Sequence, residues 1–177
     1  MLLFIFYSQK SISSPKTEIV NNFSEVKNLS FQFRQYISDK LETGKCQIEY
    51  PKLLYCLYDN KNQKEMISNG KTLVIKNKYD KTWLYPLKTT PLNYILDKQF
   101  ILNQIANIEP TNIDNKIIEF QIKQKTSMVT FFFDSVTFNL AGWSTTDIYQ
   151  NVVLFEIENI EKNTIIDKNK FKLPKLN

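Results

Sequence analysis

Histidine is absent from this 177-residue chain, arginine occurs once (Arg34), and there are only three glycines and two cysteines. Each scarcity excludes something. Without histidine the chain lacks both the common general base and the commonest metal ligand, which removes Ser-His-Asp and Cys-His catalytic arrangements. Cys46 and Cys56 have no companions with which to hold a metal. The scarcity of glycine leaves no phosphate-cradling loop. Asn69-Gly70-Lys71-Thr72 echoes the end of one, but lacks the upstream glycine and lies between strand-like segments. Asp134, Asp147, Glu156 and Glu158 fall at turns or polar strand faces, where solvation accounts for them. Neither an enzyme nor a cofactor is expected. The apolar stretch Met1 to Tyr7 is far too short to span a bilayer. It reads as the remnant of a secretory h-region, with a processing site among Ser11 to Ser14, or as a disordered apolar N-terminus.

The formal charge is +5 and the pI about 9.0. The lysines are scattered, and no basic run is interleaved with aromatics as a single-strand platform requires. A solvated lysine surface is therefore expected and a nucleic-acid partner is not. Attraction to acidic partners or anionic lipid headgroups stays open.

What the chain does contain is apolar and aromatic material, 42% and 14% respectively, which suits one globular domain with a core. Asn69-Gly70 between Met66-Ile67-Ser68 and Leu73-Val74-Ile75 is a strong hairpin signal, and it favours a type I′ turn because both residues tolerate positive φ. Upstream, Ser14-Pro15 reads as an N-cap and first helical position, followed by Ile19, Val20, Phe23 and Val26 on one face, a helix to about Asn28. Strands follow at Leu29 to Ser38, Gly44 to Tyr50, Leu53 to Tyr58, Glu65 to Ser68, Lys71 to Asn77 and Thr82 to Pro86. If the hairpin centres on Pro51, Cys46 and Cys56 face each other and can approach disulfide distance; two small buried apolar residues are the other possibility.

The strand pattern breaks at Thr90-Pro91, where Leu92, Ile95, Leu96, Phe100, Ile101, Ile105 and Ala106 fit one or two short helices. Strands resume at Ile117 to Ile122, Met128 to Phe133, the strictly alternating Val136 to Leu140, and Gln150 to Glu158. Thr164 to Lys172 reads as a loop ending in a short strand or turn. No domain boundary interrupts residues 15–177. The expected fold is mainly β (α+β), one large curled antiparallel sheet forming a half-open barrel, with helices in its concave face.

Phe33-Arg34-Gln35 after an N-terminal helix, the Tyr50-Pro51 turn, Ile67 to Leu73, the Thr-Pro insert, and Leu140-Ala141-Gly142-Trp143 before Asp147 form an ordered set. From about Lys16 to Pro174 it resembles the periplasmic outer-membrane lipoprotein carrier family of LolA type. The resemblance implies a half-open barrel lidded by an N-terminal helix and a helical insert. It implies a monomeric periplasmic chaperone that holds the acyl chains of lipoproteins in an apolar cavity. Its partners would be acylated lipoproteins, an inner-membrane release complex and an outer-membrane receptor. A related outer-membrane receptor, or a general lipid-binding module of the same fold, is the alternative. Family members carry a basic residue before the turn proline that latches the lid; Tyr50 stands there. Leu54 matches an apolar position important for transfer.

Strand parity then selects the cavity wall: Phe31, Phe33, Ile48, Leu54, Leu73, Ile75, Trp83, Phe120, Ile122, Phe131, Phe133, Phe138 and Leu140. From the helices, Ile19, Phe23, Leu92, Ile95 and Ile101 are expected to form the lid.

Overall fold

Antiparallel pairing runs through every strand of the sheet. The structure, a computed structural model, describes residues 13–79, 81–124, 127–146 and 151–174. The N-terminal helix α1 (Pro15–Ser24) precedes β1 (Asn28–Ile37), β2 (Lys40–Glu49), β3 (Leu53–Tyr58), β4 (Glu65–Asn69), β5 (Thr72–Lys76) and β6 (Thr82–Pro86). After a 3-10 turn (Leu87–Thr89) come the helices α2 (Leu92–Ile95) and α3 (Lys98–Asn107). The chain then returns through β7 (Asn112–Ile113), β8 (Ile117–Lys123), β9 (Met128–Asp134), β10 (Leu140–Thr146) and β11 (Val152–Lys162), and a second 3-10 turn spans Lys168–Phe171.

The strands form an 11-stranded sheet in the order β6-β5-β4-β3-β2-β1-β11-β10-β9-β8-β7. Pairing of β1 with β11 sets two meanders side by side, and among the described residues β6 and β7 are free edges, so the barrel is open. The helical insert leaves one free edge and returns at the other. It therefore crosses the concave face, where Ile95, Leu96, Ile101 and Ile105 are buried together with Ile19 and Phe23 of α1.

Directly opposed residues in an antiparallel pair share a face. The register thus draws apolar rows across the sheet, such as Phe31, Cys46, Cys56, Met66, Ile75 and Trp83. Gly44 sits within the concave face because a Cβ there would lie 2.8 Å from the Phe33 ring and 2.2 Å from the Leu57 carbonyl oxygen.

Several local expectations need correction. Helix α1 begins as expected, with Ser14 Oγ accepting from Thr17 N and Pro15 in its first turn. It stops at Ser24 rather than Asn28, since the Val26 N–H turns back to the Phe23 carbonyl and Lys98 Nζ takes the carbonyls of Ser24 and Val26 at 2.8 and 2.7 Å. The β4–β5 hairpin exists, but its register pairs Ser68 with Leu73 and Ile67 with Val74, which centres the turn on Gly70-Lys71. Only Gly70 has positive φ (91°), so the turn places glycine first, as type II′ does, and is not type I′. Asn69 instead accepts from Lys71 N and Thr72 N through its side chain at 3.0 and 2.9 Å.

The alternating segment from Val136 to Leu140 is mostly a turn. Asp134 Oδ1 accepts from Val136 N, Thr137 N and Thr137 Oγ1 at 3.1, 2.6 and 2.8 Å. These side-chain bonds outcompete the sheet ladder, and Phe138 adopts φ 56°. Strand β2 starts earlier than Gly44, directly after the Ser38-Asp39 turn. The C-terminal segment ends in a 3-10 turn whose Phe171 is buried. The N-terminal apolar stretch, Asp147 and Gln150 lie outside the described residues.

Candidate functional site: an apolar cavity under the helical insert

Beneath the insert the concave face does not fill. A cavity of about 320 Å³ is walled by Leu54, Cys56 and Tyr58 of β3, Met66 of β4, and Leu73 and Ile75 of β5. Trp143, Thr145 and Thr146 of β10, Val153 and Phe155 of β11, and Gln35 of β1 close the far side. Thr90, Pro91, Leu92 and Ile95 cover it. A water-sized group takes roughly 30 Å³, so the space admits about ten such groups.

Cys56 enters the wall through a disulfide. Cys46 and Cys56 are direct cross-strand partners, with Cα atoms 4.1 Å apart, and their sulfurs are bonded. On the other side Trp143 stacks on Phe155 at 4.3 Å between ring centroids, and Phe155 stacks on Phe33 at 4.7 Å. These rings form the boundary between the hollow and filled parts of the concave face.

One end of the cavity is polar. Tyr58 Oη donates to Gln35 Oε1 at 2.8 Å, beside Thr145 and Thr146. Behind the ring, Lys64 Nζ lies 3.7 Å from its centroid and is held by Glu42, which also pairs with Lys40 at 2.9 Å. Burial opposes ionisation of Glu42, but the bonds from Lys64 and Lys40 outweigh it and hold the carboxyl below its usual range. Burial, aided by the Glu42 charge, pushes the Tyr58 hydroxyl up, and burial pulls the Lys64 ammonium down against the pull of Glu42. Among the described lining residues none carries a carboxylate or an amine.

A second depression of about 450 Å³, lined by Lys40, Glu42, Asp59, Lys61, Lys64 and Trp83 among others, is larger but polar. Two asparagines in its wall, Asn60 and Asn77, already cap loop N–H groups. An apolar ligand fits the first cavity and not this one.

The insert is fastened at the β2–β3 turn, though not by Tyr50. That hydroxyl is buried without a hydrogen-bond partner among the described residues, its pKa raised by desolvation, and its ring meets Phe23 edge-on at 5.7 Å. Lys52, on the other side of the cis Tyr50-Pro51 bond, makes the polar contacts instead. Its N–H donates to the Leu96 carbonyl at 2.8 Å, and its Nζ reaches Asn93 Oδ1 at 3.2 Å and Asp97 Oδ2 at 3.3 Å. Asp97 is the N-cap of α3, accepting from Phe100 N with its other oxygen. Ser68 Oγ donates to the Lys52 carbonyl at 2.8 Å, which ties the β4–β5 turn to the same point.

Of the residues expected from parity, Leu54, Leu73 and Ile75 line the cavity, and of the expected lid residues Leu92 and Ile95 cover it. Phe31, Phe33, Ile48, Phe120, Ile122, Phe131, Phe133 and Leu140 do point to the concave side but are packed in core, as are Ile19, Phe23 and Ile101 of the helices. Trp83 shares a row with Ile75, yet it lies on the free edge strand and is 44% exposed. Phe138 belongs to the Asp134 turn and packs near α1, away from the cavity. Sequence reading missed Tyr58, Met66, Trp143, Thr145, Val153 and Phe155. The period-two step from Leu54 and Cys56 gives Tyr58, pairing with Cys56 and Ile75 gives Met66, and the step of two joins Trp143 to Thr145 and Val153 to Phe155.

A family model described as outer membrane lipoprotein carrier protein LolA matches residues 24–174. No curated protein matches the chain. Among solved structures, MucB superposes with a TM-score of 0.50 at 13% identity, covering 92% of this chain and 64% of its own. The chain thus spans less than two thirds of MucB. A DUF1329 family protein from Desulfovibrio piger gives 0.50 at 6% identity, covering 89% and 95%. A LolA superfamily protein from Nitrosomonas europaea gives 0.43 at 9% identity, covering 91% and 99%. At these identities the likeness to the first two concerns the fold.

Proposed function

The chain belongs to the LolA family of outer membrane lipoprotein carriers, and from that premise we propose that it is a periplasmic chaperone that binds lipoprotein acyl chains and carries them from the inner to the outer membrane. The observation that carries the reading is the apolar cavity between β3–β5 and the helical insert. Each methylene withdrawn from water contributes roughly 0.8 kcal/mol, so filling about ten positions yields a gross 8 kcal/mol or so before the costs of association. No bond needs to be made or broken.

The resting volume holds part of one chain. A multiply acylated cargo therefore requires α2 and α3 to lift, with Lys52 as the point of release. The tail lies along Leu54, Leu73 and Ile95, and the polar end of the cargo faces Gln35, Tyr58, Thr145 and Thr146. The donor is an inner-membrane release complex and the acceptor an outer-membrane receptor.

Native mass spectrometry of the protein recovered from the periplasm tests this directly. The expected result is a processed chain with an acylated lipoprotein or acyl chain bound, and loss of that adduct in Leu73→Glu but not in Lys123→Glu. An unprocessed chain free of lipid, or equal adduct in both variants, overturns the proposal.

A further inference from the structure

Among the described residues the sheet has two free edges of different character. On β6, Trp83, Leu84 and Tyr85 are 44, 45 and 42% exposed, and Tyr79 in the preceding turn is 66% exposed. Trp83 lies opposite Ile75 and Tyr85 opposite Leu73, so two concave rows continue past the cavity wall and end in solvent. Leu84, opposite the buried Val74, does the same on the convex face.

Exposed edges are ordinarily blunted by charge within the strand. Here the strand itself is apolar and aromatic, and the charge sits at its two ends. Lys78 and Lys81 precede it, while Lys88 follows it and Lys71 accepts the Leu87 N–H at 2.8 Å through its carbonyl. Residues 71–88 hold five lysines against one aspartate, Asp80. Lys76 is neutralised by Glu65 at 3.3 Å, and in the depression beside Trp83 Glu42 pairs with Lys40 and Lys64, which leaves Lys61 beside Asp59. At the opposite edge, β7 exposes Ile113, but residues 109–119 carry Glu109, Asp114 and Glu119 against the single Lys116.

We infer that the β6 edge is a docking surface for an anionic lipid bilayer. Tryptophan and tyrosine favour the headgroup level, where one end of the ring is apolar and the other wet. Lysines beside them reach lipid phosphates and gain from a negative surface potential. A strand added by a protein partner fits less well, because the edge is short and Pro86 has no N–H to donate. Docking here would bring the open side of the barrel to the bilayer. The inference does not depend on what the cavity holds.

Co-sedimentation of the full chain with vesicles tests it, comparing phosphatidylcholine alone with equal parts phosphatidylcholine and phosphatidylglycerol. The protein should bind the anionic vesicles several-fold better, release as salt is raised, and show a blue shift in tryptophan emission. Trp83→Ser with Tyr85→Ser, and separately Lys78→Glu with Lys81→Glu, should each weaken partitioning about tenfold. Ile113→Ser at the other edge should leave it unchanged. Thermal transitions confirm that the variants fold; should the aromatic pair fail, the lysine pair, which lies in a turn, carries the test. The inference falls if the wild-type chain ignores anionic vesicles, or if folded variants bind as it does. It also falls if the chain dimerises through this edge without lipid.

Discussion

Phe120, Phe131 and Phe133 on β8 and β9 are fully buried and share one core with Ile19, Phe23, Ile101 and Ile105 from the helices. Leu54, Cys56, Leu73 and Ile75 on β3 and β5 face Leu92 and Ile95 across about 320 Å³ of space. Both wings belong to the same sheet and lie under the same helical cover. The difference lies in side-chain bulk and in what the cover brings to each wing. Phenylalanines meeting two α1 side chains and two from α3 fill their volume, whereas aliphatic and sulfur-containing residues under a one-turn α2 do not. A carrier cavity can thus arise from under-filling one wing, with the other supplying the stability.

Hollowing the filled wing should have the largest effect. Phe131→Ala should cost about 3–5 kcal/mol, while Ile75→Ala, at a wall that already faces open space, should cost about 2. Denaturant midpoints measure both, and equal losses would show that the wings are packed alike.

Removing the cross-strand bond in the hollow wing comes next. Cys46→Ala with Cys56→Ala should lower stability by about 2–3 kcal/mol, matched by reductant acting on the wild-type chain. A reductant-insensitive unfolding curve would show that the wing does not depend on it.

The lid gives a smaller effect and a test of direction. Lys52→Met should cost about 1 kcal/mol, because the ion pair to Asp97 is partly solvated. It should also speed the exchange of a fluorescent acyl probe. Tyr50→Phe should be neutral or slightly stabilising, since it removes a buried hydroxyl with no partner. If Tyr50→Phe speeds exchange and Lys52→Met does not, the latch lies where the family pattern puts it.

The pH dependence is the finest of these effects. Glu42 has its folded pKa held below the unfolded value, so its stabilisation is complete above the unfolded pKa and is lost as pH falls through the folded one. Acid titration of the thermal midpoint should therefore decline more steeply in the wild-type chain than in Glu42→Gln. Parallel curves would remove Glu42 from the account.

Much of the architecture was legible in short stretches of sequence. The symmetry of Cys46 and Cys56 about Pro51 is a local count, and it places the two in register. The Ser14-Pro15 start and the Thr90-Pro91 insert carry their own capping chemistry. Other readings failed where a side chain intervened. Asn69 spends its amide oxygen on the turn and shifts the hairpin centre by one residue. Asp134 gathers three donors and converts the alternating run from Val136 into a turn. The family pattern puts the latch at Tyr50, but the turn at Pro51 gives Lys52 φ 67°, and it is Lys52 that contacts the insert.

Hydropathy alternation, turn residues and caps act over a few residues, and the sequence alone therefore determined the antiparallel meander, where the helices start and the face to which most strand residues point. Only the tertiary structure decided which concave residues are packed, which border a void and which reach solvent. Phe131, Ile75 and Trp83 obey the same parity, and their fates differ because one meets the helical core, one a short helix, and one the free edge of an open sheet. Those outcomes depend on neighbours far apart in the chain, and local spacing carries no record of them.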